Sequence, residues 1–299
     1  MQPWSFPPLP YTDWADSKET LHLFLQIVGK VRLKTHPKLN HWWHVTLYPH
    51  TRGLTTGRIP YGGGAFDILV DLLEHRMVIS ASDGRRESFK MGGQTVAGFH
   101  TALFQSLQAL DVEVVIYPLP YEHKSKLPFP EDQAARLYDK EAVGRYWQAL
   151  SQIASVFEIY RGRFMGKQTP VQLFWHSFDL AVTRFSGKPC PLEGGTPSDR
   201  EAYSHEVISV GFWPGDDSFQ EAAFYGYAYP EPTGLAERTL EPAQALWAEK
   251  NGGALAVYRY EDLRLAADPE AALLSFLESL YQGAGEAAAW PLDNLRHDK

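Results

Sequence analysis

Histidine, carboxylate and arginine side chains recur in three aromatic stretches of this 299-residue chain. Imidazole exchanges protons near neutral pH, a carboxylate can orient it, and a guanidinium stabilises negative charge, so the set suits acid–base chemistry or the binding of an anion. We select His44, His205, Glu206 and Asp179 as candidates for proton transfer. The candidate ligand-binding residues are cationic or aromatic neighbours: Arg52, Arg184, Trp43, Trp175, Tyr61 and Tyr203.

Each of these candidates also has a purely structural interpretation. A histidine on an aromatic strand is commonly held by hydrogen bonds within the fold, and Asp179 beside an arginine can be a structural ion pair. An unpaired buried carboxylate costs roughly 3 kcal/mol or more, so Asp179 faces solvent, lines a cavity or pairs with Arg184, Arg52 or Lys167. The residue types alone leave this choice open.

The sequence names no cofactor. If a metal ion is bound, His44, His205 and Glu206 are its candidate ligands, because imidazole and carboxylate suit zinc, manganese or iron; their spacing matches no diagnostic pattern. The glycines at 62–64 precede a strand-like stretch and not a helix, so they lack the context of a nucleotide or phosphate loop. Cys190 lies between two prolines and has no paired histidine, which indicates an ordinary free thiol.

Composition limits the classes of protein to consider. The chain is 44% hydrophobic, 13% aromatic and 21% charged, which is typical of a globular fold. A single cysteine excludes a disulfide framework and favours the cytoplasm. We expect neither a signal peptide nor a membrane span, because no basic-then-apolar leader and no apolar run of 18 residues occurs. The formal charge of −8 makes a nucleic-acid partner unlikely.

Helical periodicity and capping residues predict four main helices. We expect the first to open with a capping box from Asp16 to Glu19, its basic last turn to be solvated, and the third to be the central helix. A shorter helix is expected before the stop signal Asn251-Gly252-Gly253. The predicted helices are 16–35, 95–110, 139–165, 242–250 and 268–283.

Between the helices, stretches rich in β-branched and aromatic residues predict strands. Several are joined by short turns, which favour antiparallel hairpins over parallel crossovers. The fold class is therefore α+β. The predicted strands are 42–48, 66–72, 76–81, 112–117, 171–183, 205–212, 223–229 and 254–260.

The order of long helix, aromatic strand, further strands and closing helix occurs twice, which indicates an internal duplication. Trp43-His44 matches Trp175-His176 at a separation of 132, although the two strands do not alternate on the same face. Prolines mark a linker between the halves. The predicted boundaries are a first α+β half at 1–118, a linker at 119–138, a second half at 139–292 and a tail at 293–299.

Five longer motifs add a resemblance. The stretches NHWWHV from Asn40, RGLTT from Arg52, SFDLAVTRFSG from Ser177, SHEV from Ser204 and GFWPG from Gly211 resemble a bacterial family of unknown function. The resemblance covers nearly the whole chain. It implies a family of about 300 residues and assigns no activity, ligand or catalytic residue.

If the halves face each other, both Trp-His stretches approach one crevice, and ligand sites form at such boundaries. We therefore expect a small polar or anionic molecule to bind there against aromatic walls, and the residues leave open whether acid–base catalysis follows. In the catalytic version Asp179 or Glu206 orients a histidine base. The alternative is a non-catalytic module that binds a protein partner or forms an oligomer through exposed tryptophan, tyrosine and arginine.

Overall fold

The computed structural model describes residues 5–250 and 252–297. Those ranges contain six α-helices and twelve β-strands. The helices are α1 (Ala15–Thr35), α2 (Val96–Ala109), α3 (Lys140–Gly162), α4 (Pro197–Ala202), α5 (Tyr260–Arg264) and α6 (Pro269–Ala287). The strands are β1 (Tyr48–His50), β2 (Gly53–Thr55), β3 (Ile59–Tyr61), β4 (Gly64–Asp71), β5 (Arg76–Ala81), β6 (Arg86–Lys90), β7 (Gln172–Phe174), β8 (Asp179–Pro189), β9 (His205–Trp213), β10 (Ala223–Tyr229), β11 (Leu246–Lys250) and β12 (Gly253–Arg259).

The strands form two antiparallel sheets of six strands each, which confirms the predicted α+β class and its two halves. The first sheet has the order β1-β2-β4-β5-β6, and β3 also pairs with β4. The second has the order β11-β12-β10-β9-β8-β7. Helices α1 and α2 accompany the first sheet in sequence, and α3 and α6 accompany the second.

The two sheets meet at one pair of residues on neighbouring edges. The Leu47 N–H donates to the Leu173 carbonyl at 3.0 Å, and the Leu173 N–H donates back to the Leu47 carbonyl at 2.7 Å. Each leucine is fully buried. This antiparallel exchange joins the residue before β1 to strand β7.

Side chains alternate across the second sheet, which gives it two different faces. One face is apolar and is covered by helices; at Gly226 it passes so close to Leu280 of α6 that a Cβ would collide. We call it the helix-covered face, and its core residues include Leu180, Val182, Val210 and Phe212. The opposite face carries Asp179, Thr183, Ser209, Tyr225 and Tyr227, and we call it the tyrosine face.

The central helix is α1, not α3 as predicted. Every residue of α1 from Thr20 to Arg32 is buried, including Lys30 and Arg32, which were expected to be solvated, whereas Lys34 is exposed as expected. Lys30 lies over the Tyr117 and Trp175 rings, and Arg32 donates to the Thr56 carbonyl. These two basic residues are therefore part of the interior.

Three helices have a side-chain cap, and one predicted cap is wrong. Thr95 accepts a hydrogen bond from the Gly98 N–H, and Asp139 and Asp268 accept bonds from the first turns of α3 and α6. The predicted Asp16–Glu19 box does not form, because α1 begins one residue earlier, after Trp14, with no side-chain cap. Burial of the helix stabilises it without that bond.

Four other sequence predictions are corrected. Residues 42–48 are not a strand; a 3-10 turn covers 40–42, and β1 starts only at Tyr48. The strand predicted at 171–183 is interrupted by a turn at 175–178, the one at 112–117 is not a strand, and 246–250 is strand β11 instead of a helix. Propensity fails here because packing against the other sheet or a strand edge decides the conformation. The predicted stop signal begins at Asn251, which lies outside the described residues.

The proline-rich segment 119–138 has one 3-10 turn, Phe129–Glu131, and no strand. It is fixed to α1, because Gln26 exchanges two hydrogen bonds with the Tyr121 backbone and Glu19 lies 2.6 Å from His123 Nε2. The start of the tail is also held, since the Met165 N–H donates to the Leu295 carbonyl. The predicted boundaries stay predictions, and residues 1–4 and 298–299 lie outside the described residues.

In the described part of the chain, no helix is both long enough and apolar enough to span a membrane.

Candidate functional site at the tyrosine face

Segment 40–46 of the first half lies against the second sheet. His41 and Trp42 take positive φ angles of 53° and 60°, which bend the chain here. Thr46 Oγ1 donates to Gln172 Oε1 at 2.9 Å, and Trp175 Nε1 donates to the Val45 carbonyl at 2.6 Å. These bonds hold the segment where the two halves meet.

At this boundary a histidine and a lysine form a directed pair. Nδ1 of His41 lies 3.1 Å from the Glu201 carbonyl and 3.3 Å from that of Ala202, so this nitrogen carries the proton. Nε2 of His41 is then the acceptor for Lys167 Nζ at 2.6 Å. Burial and the nearby ammonium lower the pKa of His41, which keeps the ring neutral and able to accept.

Lys167 is exposed, and its ammonium rests between aromatic rings. Its Nζ lies 5.6 Å from the Trp43 ring centroid and 5.2 Å from that of Phe185. Among the described residues, no carboxylate lies within ion-pair distance of this ammonium. Partial desolvation without a counter-ion lowers the pKa of Lys167. The site therefore offers a positive charge that has a neutral acceptor and no anion.

A second imidazole lies beside this pair. His205 begins β9 on the tyrosine face, and its ring centroid is 5.5 Å from that of His41. Its Nδ1 is 3.1 Å from Ser204 Oγ, and within the described structure no hydrogen bond engages its Nε2. We call His41, Lys167 and His205 the lysine–histidine cluster.

Tyrosines continue the polar surface from this cluster along the sheet. The rings of Tyr225 and Tyr227 lie nearly parallel, with centroids 6.4 Å apart and an angle of 9° between them. The Tyr227 and Tyr203 hydroxyls are 2.9 Å apart. Burial raises the pKa of all three phenols, so they stay protonated and can donate hydrogen bonds.

Gly211 explains how Tyr225 crosses the sheet. It pairs with Tyr225 in the ladder between β9 and β10, and a Cβ at this position would collide with the end of the tyrosine ring. The missing side chain lets Tyr225 reach over β9 to donate to Asp179 Oδ2 on β8. Ser177 donates to the other carboxylate oxygen. Asp179 thus pairs with two hydroxyls and with none of the three cations expected from the sequence.

Comparison with protein families gives one finding: the family model described as a family of unknown function (DUF5996) matches residues 6–297. The chain belongs to this family. The resemblance inferred from the motifs is thereby confirmed. Neither a curated protein nor a solved structure matches the chain.

In this DUF5996 chain, four of the predicted site residues share the tyrosine face or its border: Asp179, His205, Tyr203 and Trp43. Two others form the wall between the halves. His44 is 5% exposed and accepts a bond from the Leu39 N–H, and Trp175 is 4% exposed with its indole nitrogen bonded to Val45. Burial lowers the pKa of His44. Both are placed as framework residues.

Four predicted residues lie elsewhere. Arg184 is on the helix-covered face, enclosed by the rings of Tyr160, Phe164 and Tyr281. Glu206 is also on the helix-covered face, because it follows His205 on β9. Arg52 and Tyr61 belong to the first sheet. There Arg52 Nε bonds Asp71 at 2.7 Å, and the Tyr61 hydroxyl both donates to and accepts from the Glu113 backbone.

The structure does not gather the suggested metal ligands. His205 and Glu206 point to opposite faces because they are consecutive on β9, and His44 is enclosed in the wall. Within residues 5–250 and 252–297, no group of three or more histidine, cysteine or acidic side chains is placed to hold a metal ion.

Sequence reasoning passed over His41, Tyr225 and Tyr227 as site residues, and treated Lys167 only as a partner for Asp179. One signal was available. The alternation Tyr225, Tyr227, Tyr229 along one strand places three phenols on one face, opposite small residues on the neighbouring strand. The pairing of His41 with Lys167 joins residues 126 apart and has no local signal.

Proposed function

We propose that this protein binds a small anionic molecule at the lysine–histidine cluster, with the body of the molecule against the tyrosine face. The observation that carries the proposal is the Lys167 ammonium, which is held by neutral His41 and by two aromatic rings and has no carboxylate among the described residues. A desolvated cation without a counter-ion favours an incoming anion.

The tyrosine face supplies polar contacts for the remainder of that molecule. Asp179 and Phe185 are six residues apart on β8, so the surface extends about 20 Å. Phenol hydroxyls and the Asp179 carboxylate can exchange hydrogen bonds with a polar body, and Trp43 offers an aromatic wall. These features favour a polar anion over an apolar one.

In a catalytic version of this proposal, His205 is the group that transfers a proton. Nε2 of His41 is engaged by Lys167, which makes His41 a positioning residue. His44 is enclosed in the wall. No described residue makes a hydrogen bond to His205 Nε2, and Ser204, not Asp179 or Glu206, contacts the other ring nitrogen.

Isothermal titration calorimetry with inorganic phosphate at constant ionic strength tests anion binding. Lys167→Met should weaken phosphate binding about tenfold, because it removes the charge that the anion meets. Lys250→Met is the matched control: Lys250 also lies over an indole, that of Trp213 at 5.8 Å, but no histidine holds it. Equal losses in the two variants, or no binding to wild type, would contradict the proposal.

Native mass spectrometry of untagged, freshly purified protein identifies the natural occupant. A mass above the 33.8 kDa chain that is released on denaturation as an anionic compound supports the proposal. An anionic compound that Lys167→Met retains as fully as wild type does binds elsewhere and contradicts the proposal.

A second candidate function is self-association through the proline-rich segment and the residues just before it. This region exposes several large apolar side chains, among them Val115 at 82% and Tyr117 at 68%. Exposed apolar surface of this kind is typical of interaction sites. Light scattering on Tyr117→Ser and wild type distinguishes the candidates, since a loss of dimer in the variant favours association.

Two further proposals concern origin and location. The two antiparallel sheets of six strands each support a duplication, and an alignment of the two halves across the family tests the offset of 132 given by the Trp-His match. The single free cysteine supports a cytoplasmic location, which cell fractionation tests.

A further inference from the structure

A cavity of about 180 Å³ lies on the other side of the second sheet, away from the lysine–histidine cluster. It is bordered by the start of β9, the end of β10 and the residues that follow α6. Glu206, Tyr229, Glu231 and Trp290 line it. The SHEV motif from Ser204 and residues 229–232 therefore meet at this cavity.

The carboxylate of Glu206 lacks a close partner here. Its Oε2 is enclosed and accepts no hydrogen bond from the described residues, and Lys188 Nζ lies 3.9 Å away. That separation exceeds hydrogen-bond distance. Lys188 is half-exposed and donates instead to the Ala289 carbonyl at 3.3 Å. Glu206 is consequently an acceptor with unused capacity.

An unused donor borders the same cavity. Trp290 is 6% exposed, and its Nε1 is enclosed with no hydrogen-bond partner in the described part of the chain. Buried polar groups are nearly always paired, and a molecule that carries the complementary groups would pair with both this acceptor and this donor.

The remaining lining specifies the charge of that molecule. Glu231 adds a second carboxylate, fixed by the Ala254 N–H, which donates to its Oε2 at 2.7 Å. Trp290 adds aromatic surface, whereas the Tyr229 ring lies on the tyrosine face, 5.1 Å from the Tyr203 ring centroid. Carboxylates beside aromatic rings are the usual surroundings of an organic ammonium group.

We propose that this cavity binds a small ammonium compound that also carries a hydrogen-bond acceptor. The ammonium group pairs with Glu206, and the acceptor receives the Trp290 N–H. A cavity of this volume holds a molecule of roughly four to eight non-hydrogen atoms. The site is independent of the anion site proposed above, because it lies on the opposite face of the sheet.

Calorimetric titration with three probes of similar size tests the chemistry. Ethylammonium has the charge alone, 2-hydroxyethylammonium has the charge and an acceptor, and ethylene glycol has no charge. We expect 2-hydroxyethylammonium to bind most tightly, ethylammonium about three- to tenfold more weakly, and ethylene glycol not measurably. Equal binding of the glycol would show that charge is not recognised, and would overturn the proposal.

Two variants should move the affinity for 2-hydroxyethylammonium in opposite directions. Glu206→Gln should weaken it at least about tenfold, whereas Lys188→Met should tighten it about two- to fivefold by removing a competing cation. If Lys188→Met weakens binding, or if inorganic phosphate binds wild type at this site and not that variant, the cavity takes an anion and the proposal is wrong.

The Trp290 contact is tested by a difference between probes. Trp290→Phe should abolish the preference for 2-hydroxyethylammonium over ethylammonium while ethylammonium binding persists. Should this variant fail to fold, the Glu206 and Lys188 variants decide the question. Lys167→Met should bind 2-hydroxyethylammonium as wild type does, so the two sites fail or succeed separately.

Discussion

Two cations lie on opposite faces of the second sheet, and both rest on aromatic rings. Arg184 is 1% exposed, with its guanidinium carbon 3.4 Å from the Tyr160 ring centroid and Glu278 at 3.5 Å. Lys167 is exposed and has a neutral imidazole, that of His41, as its partner. Enclosure with a counter-ion makes a cation part of the fold, whereas exposure without one leaves its charge for a ligand.

The largest expected effect is on the enclosed cation. Arg184→Ala should lower the free energy of unfolding by about 3 to 5 kcal/mol, because it opens a cavity between three rings and leaves Glu278 without its inner partner. Urea denaturation at pH 7 measures the loss. Arg163→Ala is the control, since Arg163 is half-exposed and meets the same Glu278 at 3.6 Å. It should cost less than about 1 kcal/mol. Similar losses would mean that enclosure does not matter.

Acidification should lower the free energy of unfolding through His22, another enclosed basic side chain. Burial and the nearby His123 lower the pKa of His22 to about 3, below its ordinary value of 6.5. The unfolded chain therefore takes up this proton first, so His22 leaves stability unaffected above about pH 6.5 and reduces it as the pH falls toward 3. The expected slope is at most about 1.4 kcal/mol per pH unit.

Unfolding free energies of wild type and His22→Gln at pH 7, 5 and 4 check this. Glutamine keeps a donor for the His176 carbonyl, which His22 Nε2 contacts at 3.0 Å, and it does not titrate. The variant should therefore lose less stability on acidification than wild type. Parallel curves would show that the acid sensitivity has another source.

The middle of the tyrosine face gives a smaller effect. Gly211→Ala places a methyl group against the Tyr225 ring and should displace its hydroxyl from Asp179, at a cost of about 1 to 3 kcal/mol. Thermal and urea denaturation measure it. Gly63→Ala is the matched control, because nothing lies within 4 Å of a Cβ there. If Gly211→Ala costs no more than the control, the position of the Tyr225 ring does not depend on the missing side chain at residue 211.

The parts of the fold that local sequence predicts are those with local causes. Thr95, Asp139 and Asp268 cap their helices through bonds to residues two or three positions ahead, so the sequence alone contains both partners. Strands β5 and β10 are likewise found at their predicted bounds. Residues 42–48 were mistaken for a strand because Trp43, Val45 and Leu47 alternate, while contacts from the other half bend the segment.

The site was predicted less completely, because its bonds join distant residues. Asp179 meets Tyr225, 46 residues away, and His41 meets Lys167, 126 residues away; a single sequence gives no register between their strands. Residue type selected Asp179 and His205, which lie on the tyrosine face. It also selected Arg184, whose alternate position on β8 turns it to the helices.

The smallest change in unfolding free energy is expected at Lys167, and this change tests the contrast between Lys167 and Arg184. Lys167→Met keeps the contact with Trp43 and Phe185 and removes a desolvated charge, so the lost cation–π attraction, about 0.5 to 1 kcal/mol at an exposed site, is offset by the lost desolvation penalty. The net change in unfolding free energy should stay within about 0.5 kcal/mol. Urea denaturation of Lys167→Met and Arg184→Ala under the same conditions measures the two changes in unfolding free energy. A loss in Lys167→Met that approaches the Arg184 value would make the cluster a structural element, because a site held ready for a ligand contributes its charge to binding and little to the folded state.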